Sequence, residues 1–427
     1  MRRRLALALG ALLLCGAALA QQAPQAPPDQ TPTQDVSDLV NALLGGLMGG
    51  AEVTGERLQE EVAEAGGIPF RQPVPVDFLK REELPAYLKD LFDAEYTGEQ
   101  ARVDERVLGA FDLLPAGTDL RALRARVLEE NVAGFYDERP GKRRLYAVSE
   151  DRTFSPMNQI VLAHELRHAL QDQYQSLDSY LDKDISDFDD RRLAWTSLLE
   201  GDATLVMERF LKLRLGSLGM PVGDDTDPAA LGAPGLLDVP GAPPVVRDQL
   251  VEPYLVGLAF ARAVWNRGGP QALRDAWKEP PESTEQVLHP EKYFERESPR
   301  KVQPSLKAPS GSRLVSEGVL GELLLRTLVE EGGGPGTEGW AGDGWRLWDV
   351  RGRTALAWRS EWDTPKDAAE FHAALRARLA RRGAADWRSG WEVFPASGGF
   401  RMAARLSGDA VELASADDDA LLERLVR

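Results

Sequence analysis

Two histidines and a glutamate, His164, Glu165 and His168, form the pattern H-E-x-x-H in a stretch that predicts a helix. Residues four apart lie on the same face of a helix, so the two imidazoles can bind one metal ion. Glu165 is one residue away from that face and can act on a metal-bound water. These residue types at this spacing predict zinc-dependent hydrolysis, and they use two of the four histidines in the chain.

The residues around this pattern predict a buried helix. Ser155 suits an N-cap and Pro156 a first-turn position, and no Gly or Pro interrupts the run before about Ser176. An apolar band surrounds the motif, and it consists of Ile160, Leu162, Ala163, Leu166, Ala169 and Leu170. Such a band is typical of a helix that crosses a core.

A catalytic zinc ion needs a third protein ligand and one open position. Glu200 is the best candidate, because it lies among apolar residues of a second predicted helix, from about 191 to 213. A carboxylate there is costly unless it is paired or binds a metal. Asp202 is the rival ligand, but residues two apart point about 200° away from each other on a helix. The alternative for Glu200 is a position on a solvated face.

The combination of His164, His168 and Glu200 resembles the gluzincin metallopeptidases, which pair H-E-x-x-H with a later helical Glu. The segment that follows is similar to the Glu-Gly-x-Ala motif of the aminopeptidase N and leukotriene hydrolase branch, since it reads Glu200-Gly201-Asp202-Ala203. The separation between His168 and Glu200 is longer than is usual in that branch. The resemblance implies an α+β fold with a mostly helical zincin domain and a small sheet before the active-site helix. It also implies a Zn²⁺ cofactor and a peptide or protein substrate.

A second resemblance concerns Tyr254. The stretch 252–257, Glu-Pro-Tyr-Leu-Val-Gly, is similar to the Pro-Tyr-x-x-Gly of the same branch, which opens a helix behind the active site. The resemblance implies that Tyr254 donates a hydrogen bond to the oxyanion formed during water attack. Gly268-Gly269-Pro270 fits the end of that helix. The alternative is a tyrosine that only fills the core.

His289 is the third histidine, within a polar string from Ser283 to Tyr293. This string resembles a recurrent motif of uncharacterised secreted bacterial proteins that carry H-E-x-x-H. We predict His289 as a catalytic residue that stabilises the oxyanion or binds a substrate carbonyl. The alternative is a histidine that fixes a helix end or a loop. The fourth histidine, His372, is predicted at the surface of an amphipathic helix.

Residues 133–137 and 144–148 are β-prone and flank the turn residues Arg139 to Lys142. They predict a hairpin just before the active-site helix. In gluzincins an edge strand at this place pairs with extended substrate, so the resemblance implies β-augmentation and broad specificity.

The N-terminus predicts a signal peptide over residues 1–20, with Arg2 to Arg4, an apolar run, and Ala18-Leu19-Ala20 as the cleavage site. We expect a secreted or periplasmic protein with no stable membrane span. Lipoprotein anchoring at Cys15, the single cysteine, is less favoured because Leu14 precedes it. Loss of three arginines lowers the formal charge from −17 to −20. Such a charge argues against nucleic acid and anionic membranes as partners.

Composition divides the rest of the chain. Residues 21–75 are predicted as a Gln/Pro-rich linker with a short helical segment, of which 36–48 could act as a prosegment. Residues 76–304 form the metallopeptidase domain, which includes an acidic loop at 178–190 and an irregular loop at 219–244. The acidic loop is either solvated or a calcium site. Residues 305–427 form a C-terminal α+β domain with clustered tryptophans.

Two functions follow from these observations. The first is a secreted zinc metallopeptidase in which His164, His168 and Glu200 bind Zn²⁺ and Glu165 is the general base. The second is a catalytically silent metal-bound scaffold that acts through the Trp-rich C-terminal domain. An intact Glu165 favours the enzyme, because a scaffold does not need a base.

Overall fold

The protein has an α+β fold with long helices and two separate β-sheets. This computed structural model describes residues 53–132, 134–154, 156–177, 186, 188–217, 241–330 and 336–427. Several predictions lie outside these residues: the signal peptide, the Gln/Pro-rich segment, the candidate prosegment 36–48, the N-cap Ser155, most of loop 219–244, and Asp178, Asp182, Asp184 and Asp187 of the acidic loop.

The first part of the chain is mostly helical up to the small sheet. Its elements are α1 (Gly55–Gly66), β1 (Val76–Leu79), α2 (Leu84–Glu95), α3 (Gly98–Ala110), α4 (Leu120–Asn131), β2 (Gly134–Asp137) and β3 (Arg144–Val148). The side chains of Thr54, Thr97 and Asp119 cap α1, α3 and α4. These caps satisfy backbone N–H groups that a helix start leaves without partners.

Helix α1 falls in the range that the sequence assigns to a linker with a short helical segment. Its Leu58, Val62 and Ala65 are buried in one cluster with Leu166 of the next helical layer. Residues 55–66 therefore pack into the unit that holds the site, rather than connecting to it loosely.

The small sheet has the strand order β1-β3-β2. Strands β2 and β3 form the predicted antiparallel hairpin, with Gly134 opposite Ala147 and Asp137 opposite Arg144. Strand β1 joins β3 in parallel. Strand β2 is thus at the sheet edge, and a Cβ atom on Gly134 would lie only 2.9 Å from the Leu162 side chain. This close approach sets the edge strand directly against the H-E-x-x-H helix.

Three long helices follow the hairpin, and two short ones come after them. They are α5 (Pro156–Tyr174), α6 (Asp190–Ser217), α7 (Pro244–Lys278), α8 (Thr284–Leu288) and α9 (Pro290–Glu295). The H-E-x-x-H motif is on α5 and Glu200 is on α6, as the sequence predicts. Backbone dihedrals leave helical values at Gly268 and Gly269, which agrees with the helix end predicted there.

The start of α7 differs from the prediction. The sequence places a helix start at Pro253, but α7 begins at Pro244 and Pro253 is inside it. Val245, Val246, Leu250 and Val251 are buried, so core packing continues the helix through the proline. Pro253 costs one backbone hydrogen bond there, and the buried apolar residues on its N-terminal side offset that loss.

The C-terminal part forms a seven-stranded sheet in the order β4-β5-β6-β10-β9-β8-β7. Its elements are β4 (Arg313–Gly318), α10 (Gly321–Glu330), β5 (Trp340–Val350), β6 (Arg353–Trp362), α11 (Pro365–Ala380), β7 (Asp386–Arg388), β8 (Trp391–Pro395), β9 (Arg401–Ser407), β10 (Ala410–Ala416) and α12 (Asp419–Val426). The sequence pattern predicts strands at 346–350, 355–362, 392–394, 400–405 and 411–414 and helices at 366–380 and 418–425, and the structure has a matching element at each of these places. The sequence did not predict β4, β7 or α10.

Alternate residues of these strands enter different apolar clusters, as the two-residue period of a strand requires. Trp345 and Leu347 face a cluster that includes helix α11, whereas Trp348 and Val350 face one that includes α12. The rings of Trp345 and Trp358 also meet Phe111 at 6.5 Å between centroids. One face of the C-terminal sheet therefore shares a core with the helices before the hairpin.

Candidate metal centre

The side chains of His164, His168 and Glu200 meet in the protein interior. His164 Nε2 is 2.9 Å from His168 Nε2 and 3.1 Å from Glu200 Oε2, and His168 Nε2 is 3.3 Å from the same oxygen. Ligand atoms about 2.0–2.1 Å from a tetrahedral zinc ion lie about 3.3 Å apart. The three atoms thus fit three corners of a tetrahedral zinc site.

The charges of this group also suit a cation. Burial alone would raise the pKa of Glu200, but the two imidazoles outweigh it and lower that pKa to about 2. Burial would lower the pKa of His168, yet the Glu200 carboxylate raises it to about 9. Burial lowers the pKa of His164 to about 4. Glu200 thus keeps its negative charge, and a bound cation would replace the proton that this carboxylate holds on His168.

Glu165 lies next to the candidate ligand His164 in the sequence and is fully buried. Its Oε2 accepts a hydrogen bond of 3.0 Å from the Tyr136 backbone N–H of edge strand β2. Its Oε1 is buried without a hydrogen-bond partner in the described part of the chain. Burial raises the pKa of Glu165 well above its usual range. The carboxyl group is thus held at Oε2 by the edge strand, while Oε1 has no partner among the described residues.

Tyr254 lies on α7, with its ring stacked on His164 at 5.9 Å between centroids. The side chain is buried, and burial together with the charges of Glu200 and Glu165 raises its pKa well above the usual range. The phenol therefore keeps its proton and can donate a hydrogen bond. Tyr254 is thus a buried core residue whose ring also lies against His164, and its role as an oxyanion donor stays a prediction.

Helices α6 and α7 cross at a pair of glycines, Gly201 and Gly257. A Cβ atom on Gly201 would lie 2.0 Å from the carbonyl group of Gly257, and one on Gly257 would lie 2.0 Å from the Ser197 carbonyl oxygen. Gly201 follows Glu200 directly, and Gly257 is one helical turn after Tyr254. The backbone contact between the helices thus brings Tyr254 up to Glu200.

Replacement of Gly257 by Ala is expected to lower the free energy of unfolding by about 1–3 kcal/mol, because the added methyl group forces the helices apart. Gly216→Ala on α6 is the matched control, because a Cβ there has no atom within 4 Å. The control should be neutral or stabilising by up to about 1 kcal/mol. Chemical denaturation of both variants measures this, and equal stabilities would contradict the close crossing.

Asp202, the rival ligand, serves another purpose. It accepts two hydrogen bonds from Arg167, both of 2.9 Å, and others from Gln171 and Trp277. Arg167 and Asp202 are fully buried. Asp202 is therefore the counter-ion of a buried arginine.

The structure does not bring His289 to the predicted ligands. His289 lies between α8 and α9, and its Nε2 is 3.0 Å from a carboxylate oxygen of Glu322 on α10. Thr284 of α8 contacts Asp190, which precedes Glu200 on α6 by about 15 Å along the helix axis. The Glu322 contact ties the α8–α9 junction to α10, which fits the alternative of a histidine that fixes a loop, while the catalytic role of His289 stays a prediction.

Other acidic groups in the described residues have protein partners. Asp189 accepts from the Val319 and Arg191 backbone N–H groups, and Asp190 accepts from Thr284. These contacts give the end of the acidic loop a structural role. Glu285, Glu297 and Asp363 also come together, but they surround the Lys292 ammonium group.

The sequence predicts the fourth histidine, His372, at the surface. In the structure it is half-buried, because its helix packs on the sheet.

The comparisons with known proteins concern the C-terminal part. Residues 312–425 match the model of a domain of unknown function, DUF8575. No curated protein and no solved structure matches the chain. Among the described helices, none combines the length and the apolar character needed to cross a membrane. The matched segment runs from β4 to α12 and excludes His164, Glu165, His168 and Glu200, so the chemistry of the site rests on its own geometry.

Proposed function

We propose that this protein is a secreted zinc-dependent peptidase of gluzincin type. The observation that carries the proposal is the convergence of His164, His168 and Glu200 to tetrahedral spacing, with Glu165 beside them. H-E-x-x-H with a helical Glu supplies the two-nitrogen, one-oxygen donor set of zinc peptidases. The predicted signal peptide adds a secreted or periplasmic location to the proposal.

Zinc, when bound, supplies a Lewis acid that polarises the scissile carbonyl and acidifies the attacking water. Glu165 takes the proton of that water through its unbonded Oε1 and later delivers it to the leaving amine. Tyr254 donates its phenolic hydrogen bond to the oxyanion as charge develops there. Tyr254 also hydrogen-bonds Glu200 in this structure, so its hydroxyl is already within the site.

The position of edge strand β2 supports the proposal that the substrate is a peptide. Tyr136 N–H points away from β3 and toward Glu165, so the outward edge of β2 runs past the base. An extended peptide paired with this edge would carry its backbone across the site, whatever its side chains. All four residues of β2 and all three ligands are buried. Substrate entry on this proposal therefore requires a movement that opens the site.

The scaffold alternative loses one of its supports. The clustered tryptophans, Trp340, Trp345, Trp348, Trp358 and Trp362, are all buried and cannot contact a partner, whereas Trp387 of the same domain is 71% exposed. Nothing in a scaffold role explains why Glu165, an ionisable group in a dry interior, stands beside the three ligands.

The proposal is tested with the purified chain from residue 21 onward. We expect one zinc ion per chain by elemental mass spectrometry, and cleavage of a denatured protein that stops when a chelator removes the zinc. Full zinc occupancy without any cleavage would favour the scaffold. An absence of bound zinc would reject both functions.

Tyr254→Phe tests the oxyanion role. The phenol acts only when charge develops, so kcat should fall by about 10² to 10³ while KM and zinc content stay nearly unchanged. A core role alone predicts a small stability change with normal kcat, because Phe fills the same space. Steady-state kinetics on a quenched fluorescent peptide distinguish these outcomes, and normal turnover would exclude Tyr254 from catalysis.

A further inference from the structure

A buried polar network lies behind His168, on the side away from the other two ligands. It consists of Arg167 and Gln171 on α5, Asp202 on α6 and Trp277 on α7, each at most 1% exposed. His168 Nδ1 is 2.8 Å from Gln171 Oε1. Gln171 Nε2 in turn donates to the Leu199 carbonyl at 3.1 Å and to Asp202 Oδ2 at 2.8 Å.

The partners of Gln171 determine how its amide is oriented. A backbone carbonyl and an aspartate carboxylate only accept hydrogen bonds, so the amide NH₂ must face Leu199 and Asp202. The amide oxygen must then face His168, and since it only accepts, His168 must carry a proton on Nδ1. Nε2, the nitrogen that faces His164 and Glu200, is thereby the one that can present a lone pair to a bound metal ion.

Asp202 is itself fixed in place. Its Oδ2 accepts from Arg167 Nε at 2.9 Å and from Trp277 Nε1 at 3.2 Å, while Oδ1 accepts from Arg167 Nη2 at 2.9 Å. The Arg167 guanidinium also lies 4.9 Å from the Trp277 ring centre. These contacts come from three helices, so the carboxylate cannot turn away from Gln171 without leaving the arginine unpaired.

We propose that Gln171 is a positioning residue that holds His168 in the Nδ1–H tautomer, and that Asp202, held by Arg167 and Trp277, keeps Gln171 in the orientation this requires. The inference rests on the proposed function and deepens it. Outer-shell partners of a metal-binding histidine fix its tautomer and ring orientation, and their loss weakens metal binding about 10–100-fold.

Gln171→Met tests the proposal, because methionine has a similar volume but offers Nδ1–H only a weakly accepting sulfur in place of the amide oxygen. Asp202 keeps Arg167 and Trp277 as partners, so His168 is the ligand that loses a contact. Gln173→Met is the matched control: this glutamine is on the same helix but hydrogen-bonds to Arg71 and Gln72 instead. Zinc affinity is measured by competition with a chelator, and the Nδ1–H proton of His168 by nitrogen-edited NMR of the zinc-loaded protein.

We expect Gln171→Met to bind zinc about 10–100-fold more weakly than the wild type and to lose the protected Nδ1–H signal. Gln173→Met should match the wild type in both. Equal affinities and an unchanged signal in the two variants would overturn the proposal. If the methionine variant does not fold, the zinc-loaded wild type decides, because absence of a protected His168 Nδ1–H signal there would also overturn the proposal.

The outcomes separate this inference from the proposed function. If the wild type and Gln173→Met bind no zinc, the metal centre itself is rejected. If both bind zinc and Gln171→Met binds it equally well, the positioning role of Gln171 is rejected and the metal centre stands.

Discussion

Glu165→Gln is expected to lower the rate of peptide hydrolysis by at least about 10²-fold while one zinc ion stays bound per chain. Gln is nearly isosteric with Glu, and its amide oxygen can still accept the hydrogen bond from the Tyr136 N–H. What the variant lacks is a group that can take a proton from the attacking water. The variant should therefore keep its fold and its bound zinc but lose the proton transfer from the attacking water.

The measurement pairs kcat with zinc content on the same preparation. Glu208→Gln is the control, because Glu208 is a buried glutamate of α6 that bonds to Arg262 and Lys212, outside the site. Its kcat should remain near the wild-type value. Near-normal turnover by zinc-loaded Glu165→Gln would reject the role given to this base.

Glu200→Ala is expected to weaken zinc binding by more than about 10²-fold, beyond the range for loss of an outer-shell partner. The change removes the only anion of the three-ligand group and leaves two imidazoles facing each other at 2.9 Å. Equilibrium dialysis against buffered zinc measures the effect. Glu208→Ala, on the same helix, should bind zinc like the wild type, and equal affinities for the two variants would contradict Glu200 as a ligand.

Asp202→Ala tests whether the rival ligand candidate affects zinc binding or stability. From sequence alone we expect this change to leave zinc binding largely intact, since Glu200 is the preferred ligand. The structure shows that it would leave the Arg167 guanidinium buried without its counter-ion. Such a loss costs about 3–5 kcal/mol of stability. A lower zinc content in this variant has two sources, unfolding and the loss of the Gln171 orientation that Asp202 maintains, so thermal unfolding without metal should be measured beside it.

The local part of the site could be predicted from the sequence. His164 and His168 share a helix face through spacing alone, and the hairpin at 134–148 follows from β-prone residues around a turn. Glu200 could be chosen because an isolated carboxylate among apolar residues needs a partner. In each case the physical cause lies within about ten residues of the feature.

Features set by contacts distant in sequence could not be predicted in this way. The helix around Tyr254 starts earlier than Pro253 suggests, because buried apolar residues between 245 and 251 extend it through the proline. The requirement for glycine at positions 201 and 257 arises from the crossing of α6 and α7, where a Cβ atom would overlap the backbone of the other helix. His289 has its partner on α10, a helix that the sequence did not predict. Gln171, three residues after His168, did carry a local signal, since residues three apart are neighbours on a helix.

The central claim is that the zinc-loaded protein hydrolyses peptide bonds. A peptide-library digest, read by mass spectrometry for new termini, tests it most directly. We predict that zinc-loaded wild-type protein produces new termini, and that the metal-free protein and zinc-loaded Glu165→Gln produce almost none. An identical set of termini from the wild type and Glu165→Gln, or no new termini from fully zinc-loaded wild type, would contradict the claim.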